Sequence, residues 1–235
     1  MKRRALAVLC LTMLILGACN FPTASQPALP RPVPTANGNL AVPEEYLTGV
    51  RIASYDPFDN LRGWASESDT GTLSGGVFEL RGTRLWHSHL VYKHIFAEGD
   101  GLLLSFSVQQ ANARSELVLV SGEWLTGSFR QFGLYNAPRP LSDLFEGTAD
   151  LGGHHVVGDL ALHASITYEL LLAVGHGRHL LGVIWNPASP ADRAAFEIQG
   201  DPSWQGRQWT FMPKATDGET MYLDNFYRIA FSDIK

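Results

Sequence analysis

The stretch Gly218–Phe231, GETMYLDNFYRIAF, alternates with the period of two expected of a β-strand. Met221, Leu223, Asn225, Tyr227 and Ile229 fall on one side of it. Tyr222, Asp224, Phe226, Arg228 and Ala230 fall on the other. An acid and an amide interrupt its middle, although Asp and Asn bring little apolar area to a strand and compete for its backbone hydrogen bonds. Asp224 and Asn225 therefore have something to hold.

Upstream, short apolar or alternating segments recur with turn residues between them. They are GGVFELRG, RLWHSHLVY, GLLLSFSVQQ, SELVLVSG, FRQFGLYN, ITYELLLAVGHGRHLLGVIW and GRQWTFMP. Val, Leu, Phe, Trp and Tyr dominate them, and Gly, Asn, Asp or Pro punctuates them about every ten residues, the pattern of a sandwich or barrel. AVGHGRHLL reads as a tight hairpin. Only Ser189–Glu197, SPADRAAFE, carries a helix signal, with Pro190 in its first turn.

The N-terminus reads differently. Lys2, Arg3 and Arg4 precede ALAVLCLTMLILGAC, an apolar run of about 15 residues, short of the roughly 20 that cross a bilayer, so residues 1–18 read as an export signal. Its end, Leu16–Cys19, resembles the lipobox of bacterial lipoproteins, which implies lipid on Cys19 and a protein held at the cell membrane or envelope, facing out of the cytoplasm. Cys10 lies in the leader and Cys19 would carry lipid, which would leave no thiol in the mature domain for disulfides, cysteine catalysis or cysteine metal ligation. Residues 19–49 follow as a tether; Asn20–Glu45 alone holds six prolines and too little apolar area for a core. Residues 50–235 are then one all-β domain, an antiparallel two-sheet sandwich.

Charge narrows the partners. The formal net charge is −5, and loss of the leader's three basic residues leaves 15 Lys and Arg against 23 Asp and Glu, or −8. Nucleic acid and anionic lipid surfaces are poor electrostatic partners for such a chain. Lipid, not charge, would hold it at the membrane.

The order FDNLRGW, GGVFELRG, then ITYELLLAVGHGRHLLGVIWNPASP, then MYLDNFYRI resembles the concanavalin A-like jelly rolls, in particular laminin-G-like and sugar-hydrolase-related domains. The resemblance implies a jelly roll whose early Phe-acid-Trp segment meets the final strand. It also implies a structural calcium ion as cofactor, held by Asp59 of PFDN and Asp224 of LDNF near the meeting of the termini. Six to eight oxygens would be needed, so carbonyls, Asp56 or Asn60 would complete the set. The other reading of Asp224 and Asn225 is a hydrogen-bonded corner with no ion.

Chemistry on this scaffold has three candidate inventories. Glycoside hydrolysis needs two carboxyl groups about 5 to 10 Å apart, but Glu116, Glu123, Glu169 and Glu197 are scattered and each reads as a solvent-facing strand or turn residue. His87 and His89 share a strand face, a zinc-compatible spacing without an evident third ligand. Aromatic residues are more suggestive, because sugars lay their C–H faces on exposed rings. Trp64, Trp185 and Trp209 sit at core-like positions, whereas Trp86, Trp124 and Trp204 lie nearer loops. The sequence thus points first to a surface-anchored, non-catalytic module whose partner is a polysaccharide or glycan, bound by Trp86, His87, His89, Trp124, Arg130 and Tyr135. A hydrolase or lyase of the same class and a structural or protein-interaction lipoprotein stand as alternatives.

Overall fold

The computed structural model describes residues 41–66, 71–82, 88–110, 115–123, 128–136, 142–148, 154–160, 162–200, 202–215 and 218–235. Cys19, Trp86, His87 and Trp124 lie outside these residues. A short helix, α1 (Ala41–Tyr46), leads into β1 (Leu47–Thr48), β2 (Arg51–Asp56), β3 (Trp64–Ser66), β4 (Gly71–Ser74), β5 (Val77–Arg81), β6 (Ser88–Tyr92) and β7 (Ile95–Phe96). Next come β8 (Asp100–Val108), β9 (Ser115–Glu123), β10 (Ser128–Asn136), β11 (Ser142–Thr148), β12 (His154–Leu160) and β13 (Tyr168–Val174). The chain ends with β14 (His179–Asn186), β15 (Ser189–Gln199), β16 (Trp209–Ala215), β17 (Thr220–Ala230) and β18 (Asp233–Ile234).

Among the described residues these strands build two eight-stranded antiparallel sheets and a small β1–β18 ribbon. Sheet I runs β12-β11-β10-β9-β16-β6-β3, with β7 also on β16; sheet II runs β15-β14-β13-β8-β17-β5-β4, with β2 also on β17. The result is an all-β, two-sheet antiparallel jelly-roll sandwich.

Period-two alternation explains the layering. Leu117, Leu119, Phe132, Leu134 and Phe211 of sheet I meet Leu104, Phe106, Leu170, Leu172 and Leu223 of sheet II in one continuous core. Each such side chain contributes about 1.5–3 kcal/mol by leaving water. Trp64, Trp185 and Trp209 are buried as their strand positions imply. AVGHGRHLL is the β13–β14 turn, where Gly177 at φ 63 takes the left-handed conformation that a glycine adopts freely.

Three sequence expectations are corrected. Ser189–Glu197 is strand, not helix: β14 offers an open edge, and Ala194, Phe196 and Ile198 alternate into the core while Arg193 and Glu197 stay outside. Trp204 is no loop platform. It is buried edge-on against Trp209 at 5.5 Å, beside a cavity of only about 10 Å³, room for a single water. Residues 41–48, read as the end of the tether, belong to the fold. Val42 and Leu47 cover an apolar strip of Leu103, Leu171, Val183 and Ile229 on the outer face of sheet II, and β1 pairs with β18.

The strand that opened the sequence reading also departs from simple alternation. Its pairing with β8 shifts register between Asp224 and Tyr227. Met221, Leu223 and Phe226 therefore face the core, whereas Tyr227 and Ile229 face out. One extra residue at a bulge flips every side chain beyond it.

Candidate functional site

The outer face of sheet I carries an unusual mixture. Val91, Val118, Val120, Phe129, Tyr135 and Met212 form an apolar cluster there. Beside it lies a buried polar row: register sets Lys214 of β16 opposite His89 of β6 on one side and opposite Glu116 of β9 on the other. The next strand places Tyr135 opposite Glu116, and the backbone register continues to Asp143 and Asp159. Lys214 is 1% exposed, and its Nζ donates to Glu116 Oε2 at 2.7 Å and to Gln131 Oε1 at 3.2 Å. His89, Glu116 and Gln131 are buried with it. Gly133, between Gln131 and Tyr135 on the same face, has φ 152, and a Cβ there would lie 2.2 Å from the Leu117 carbonyl oxygen. No larger residue fits that position.

Of the residues picked from sequence, His89 and Tyr135 thus come to one face. Arg130 alternates with core-facing Phe132 and Leu134, so it falls on the other side of β10 from Tyr135, with Nη1 donating to the Phe129 carbonyl at 3.3 Å. Lys214, Gln131 and Glu116 were missed as a group. Glu116 was read as solvent-facing, yet it heads the Glu116-Val118-Val120 stripe; an acid leading an apolar stripe was the available signal.

A second polar row crosses the outer face of sheet II, where Glu169 of β13, Ser105 of β8 and Asp224 of β17 stand opposite one another. Ser105 Oγ donates to Glu169 Oε1 at 2.8 Å. Burial pushes the Glu169 carboxyl up to about 7; the Ser105 hydrogen bond opposes this and the Asp224 charge adds to it. Tyr227 is pushed up to about 12, first by burial and then by Tyr55, Glu169 and Asp224 around it. At the edge of the sandwich, burial and then the Arg228 charge lower the His94 pKa, and His94 keeps Arg228 Nη1 within 2.7 Å.

Asp224 and Asn225 form the β17 bulge. Asn225 adopts φ 48, its N–H donates to Asp224 Oδ1 at 2.7 Å, and its Oδ1 accepts from the Tyr55 hydroxyl at 2.8 Å. Tyr55 stacks on Tyr227 with centroids 4.6 Å apart. Asp59 is exposed on the bend after Phe58. The early acid that meets the final strand is Asp56, opposite Phe226, and its carboxylate accepts from Phe58 N–H at 2.8 Å and Trp64 Nε1–H at 2.9 Å. Among the described residues no three of His, Cys, Asp and Glu gather closely enough to hold a metal ion. Asp224 and Asn225 thus form a hydrogen-bonded corner with Tyr55.

No protein-family model matches this chain, and no curated protein sequence matches it. Solved structures do. The catalytic domain of an endo-1,3-β-glucanase (laminarinase) from Thermotoga petrophila RKU-1 is similar with a TM-score of 0.59 and 7% identity, covering 80% of this chain and 100% of that one. A basic winged bean lectin solved with Tn-antigen gives 0.56 and 10%, over 77% and 98% of the two chains. The CBM2 module of Lactobacillus casei BL23 phage J-1 evolved Dit gives 0.53 and 10%, over 77% and 96%. At these identities the likeness is one of fold: the domain is a concanavalin A-like jelly roll.

Proposed function

We propose that this protein is a non-catalytic carbohydrate-binding lipoprotein, held at the membrane through Cys19, with a glycan lying across the outer face of sheet I. One observation carries the reading: Tyr135 and Phe129 stand next to the buried Lys214–Glu116–Gln131 network on a single face. Sugars lay their C–H faces on such half-buried rings, while the buried network beneath fixes the strands that present them. Trp86, His87 and Trp124, adjacent in sequence to the ends of β6 and β9, join this surface in the proposal. Two of the similar structures support it, a lectin solved with Tn-antigen and a CBM2 module. On this face of sheet I hydrolysis is disfavoured, because Glu116 is committed to Lys214 and an acid–base pair needs two carboxyl groups free to act.

The lipid anchor, the leader over residues 1–18 and an extended tether after Cys19 rest on the sequence. Because the chain is packed from Val42 onward, the proposed tether ends before residue 42, short of the residue 49 that the sequence suggests.

A glycan array followed by calorimetric titration tests the proposal. Tyr135→Ala should weaken binding of the selected glycan roughly 5- to 150-fold, as loss of about 1–3 kcal/mol of aromatic stacking does on nucleic-acid bases. Absence of any glycan bound, or unchanged affinity in Tyr135→Ala, would overturn it. Release of reducing sugar from the bound glycan would replace binding by hydrolysis.

A further inference from the structure

Strand β2, Arg51–Asp56, uses only one of its edges. It hydrogen-bonds to β17 and to no other strand among the described residues. The burial pattern along it leaves Arg51, Ile52, Ser54 and Tyr55 exposed. Large exposed apolar side chains are few among the described residues: Ile52 at 41%, Tyr55 at 40%, Ile95 and Ile166. Two of the four stand on this strand, and both face outward, opposite Ile229 and Tyr227 of β17. Edge strands of stable monomers are commonly blunted by lysine, proline, a bulge or an inward charge; RIASYD has no lysine or proline, and its bulge at Ala53 and its Asp56 need a partner strand that matches both.

We infer that β2 pairs antiparallel with β2 of a second copy of this chain about a twofold axis between Ala53 and Ser54. The sequence of the strand is complementary to itself in that arrangement. Arg51 falls opposite Asp56 of the other copy, Ile52 opposite Tyr55, and Ala53 opposite Ser54, so two opposite-charge pairs and two aliphatic–aromatic pairs form at once. Cross-strand pairs of these kinds are the stabilising unit of antiparallel sheets. Asp56 already accepts from Phe58 and Trp64, and a carboxylate has further lone pairs for a guanidinium. The hydrogen bond from Tyr55 to Asn225 holds its ring in place before the copies meet.

The local irregularity fits as well. Pairing of β2 with β17 passes from Ser54 to Ile52 and skips Ala53, which bulges. A regular strand would lose register across a bulge. A second copy, related by a twofold, brings its own extra residue to the same place and keeps Ile52 and Tyr55 on one face. Such an interface is isologous and closes at two subunits. It joins the two copies of sheet II and takes no residue from sheet I.

The test uses the full chain in density-matched detergent. Sedimentation equilibrium should give a mass of two chains, and Arg51→Glu and Ile52→Lys should each raise the dissociation constant at least about tenfold, since every substitution acts twice in a symmetric pair. Neither side chain is in the core, so both variants should melt as the wild type does at concentrations well below the dissociation constant, where all are monomers, and lower than it where the wild type is dimeric. A wild-type chain that stays monomeric throughout the micromolar range overturns the inference. So does a dimer that neither substitution weakens.

Discussion

The Glu169 carboxyl makes the stability of this domain depend on pH in a calculable way. On the outer face of sheet II, Ser105, Asp224 and Tyr227 surround it. Burial therefore raises the folded-state pKa from an ordinary 4.5 to about 7. The native state then binds more protons than the unfolded chain between those values, so this contribution to stability is complete below about pH 4.5 and is lost as pH rises to about 7. At 1.36 kcal/mol per unit the full effect is about 3.4 kcal/mol, and partial solvent access trims it to about 2–3. Glu169→Gln keeps an acceptor for Ser105 and cannot ionise. The variant should match the wild type near pH 4.5 and exceed it at pH 8 by that amount, or roughly 5–10 °C in Tm for a domain of this size. Paired thermal melts across this range measure the difference, and groups common to both proteins cancel. Parallel wild-type and variant curves from pH 4.5 to pH 8 would refute the reasoning.

Other expectations follow from the same geometry. Lys214→Met strands the buried Glu116 charge and should cost about 3–5 kcal/mol, whereas Lys214→Met with Glu116→Leu should recover most of it in chemical denaturation; a single variant as stable as wild type would contradict the burial of the pair. EDTA and added calcium should both leave the melting curve unchanged, since Asp224 is hydrogen-bonded to the bulge it forms; a midpoint lowered by EDTA and restored by calcium would establish an ion bound by the native state. Cys19→Ala should move the protein out of the membrane fraction or leave it unprocessed, and unchanged detergent-dependent fractionation would end the lipoprotein proposal.

The sequence by itself determined the fold class, because a two-sheet sandwich writes its layers locally. FRQFGLY alternates, and SELVLV and YELLLAV are short apolar runs between turn residues, the local marks of a half-buried and of a fully buried strand. The hairpin at Gly177 was legible for the same reason, as a short glycine turn between two apolar runs. Tertiary structure alone decided whatever depends on register between strands distant in sequence. Lys214, Glu116 and Gln131 are 83 to 98 residues apart where they bond, and no local pattern brings them together. The β17 bulge is another case: in sequence, Asn225 and Tyr227 share a side with Met221 and Leu223. Only pairing with β8 and β2, with Tyr55 supplying a hydroxyl from 170 residues away, makes the extra residue stable. Ser189–Glu197 carries helix-forming residues, yet it became strand because the open edge of β14 offers its backbone a full ladder of hydrogen bonds, which outweighs a propensity of a few tenths of a kcal/mol per residue.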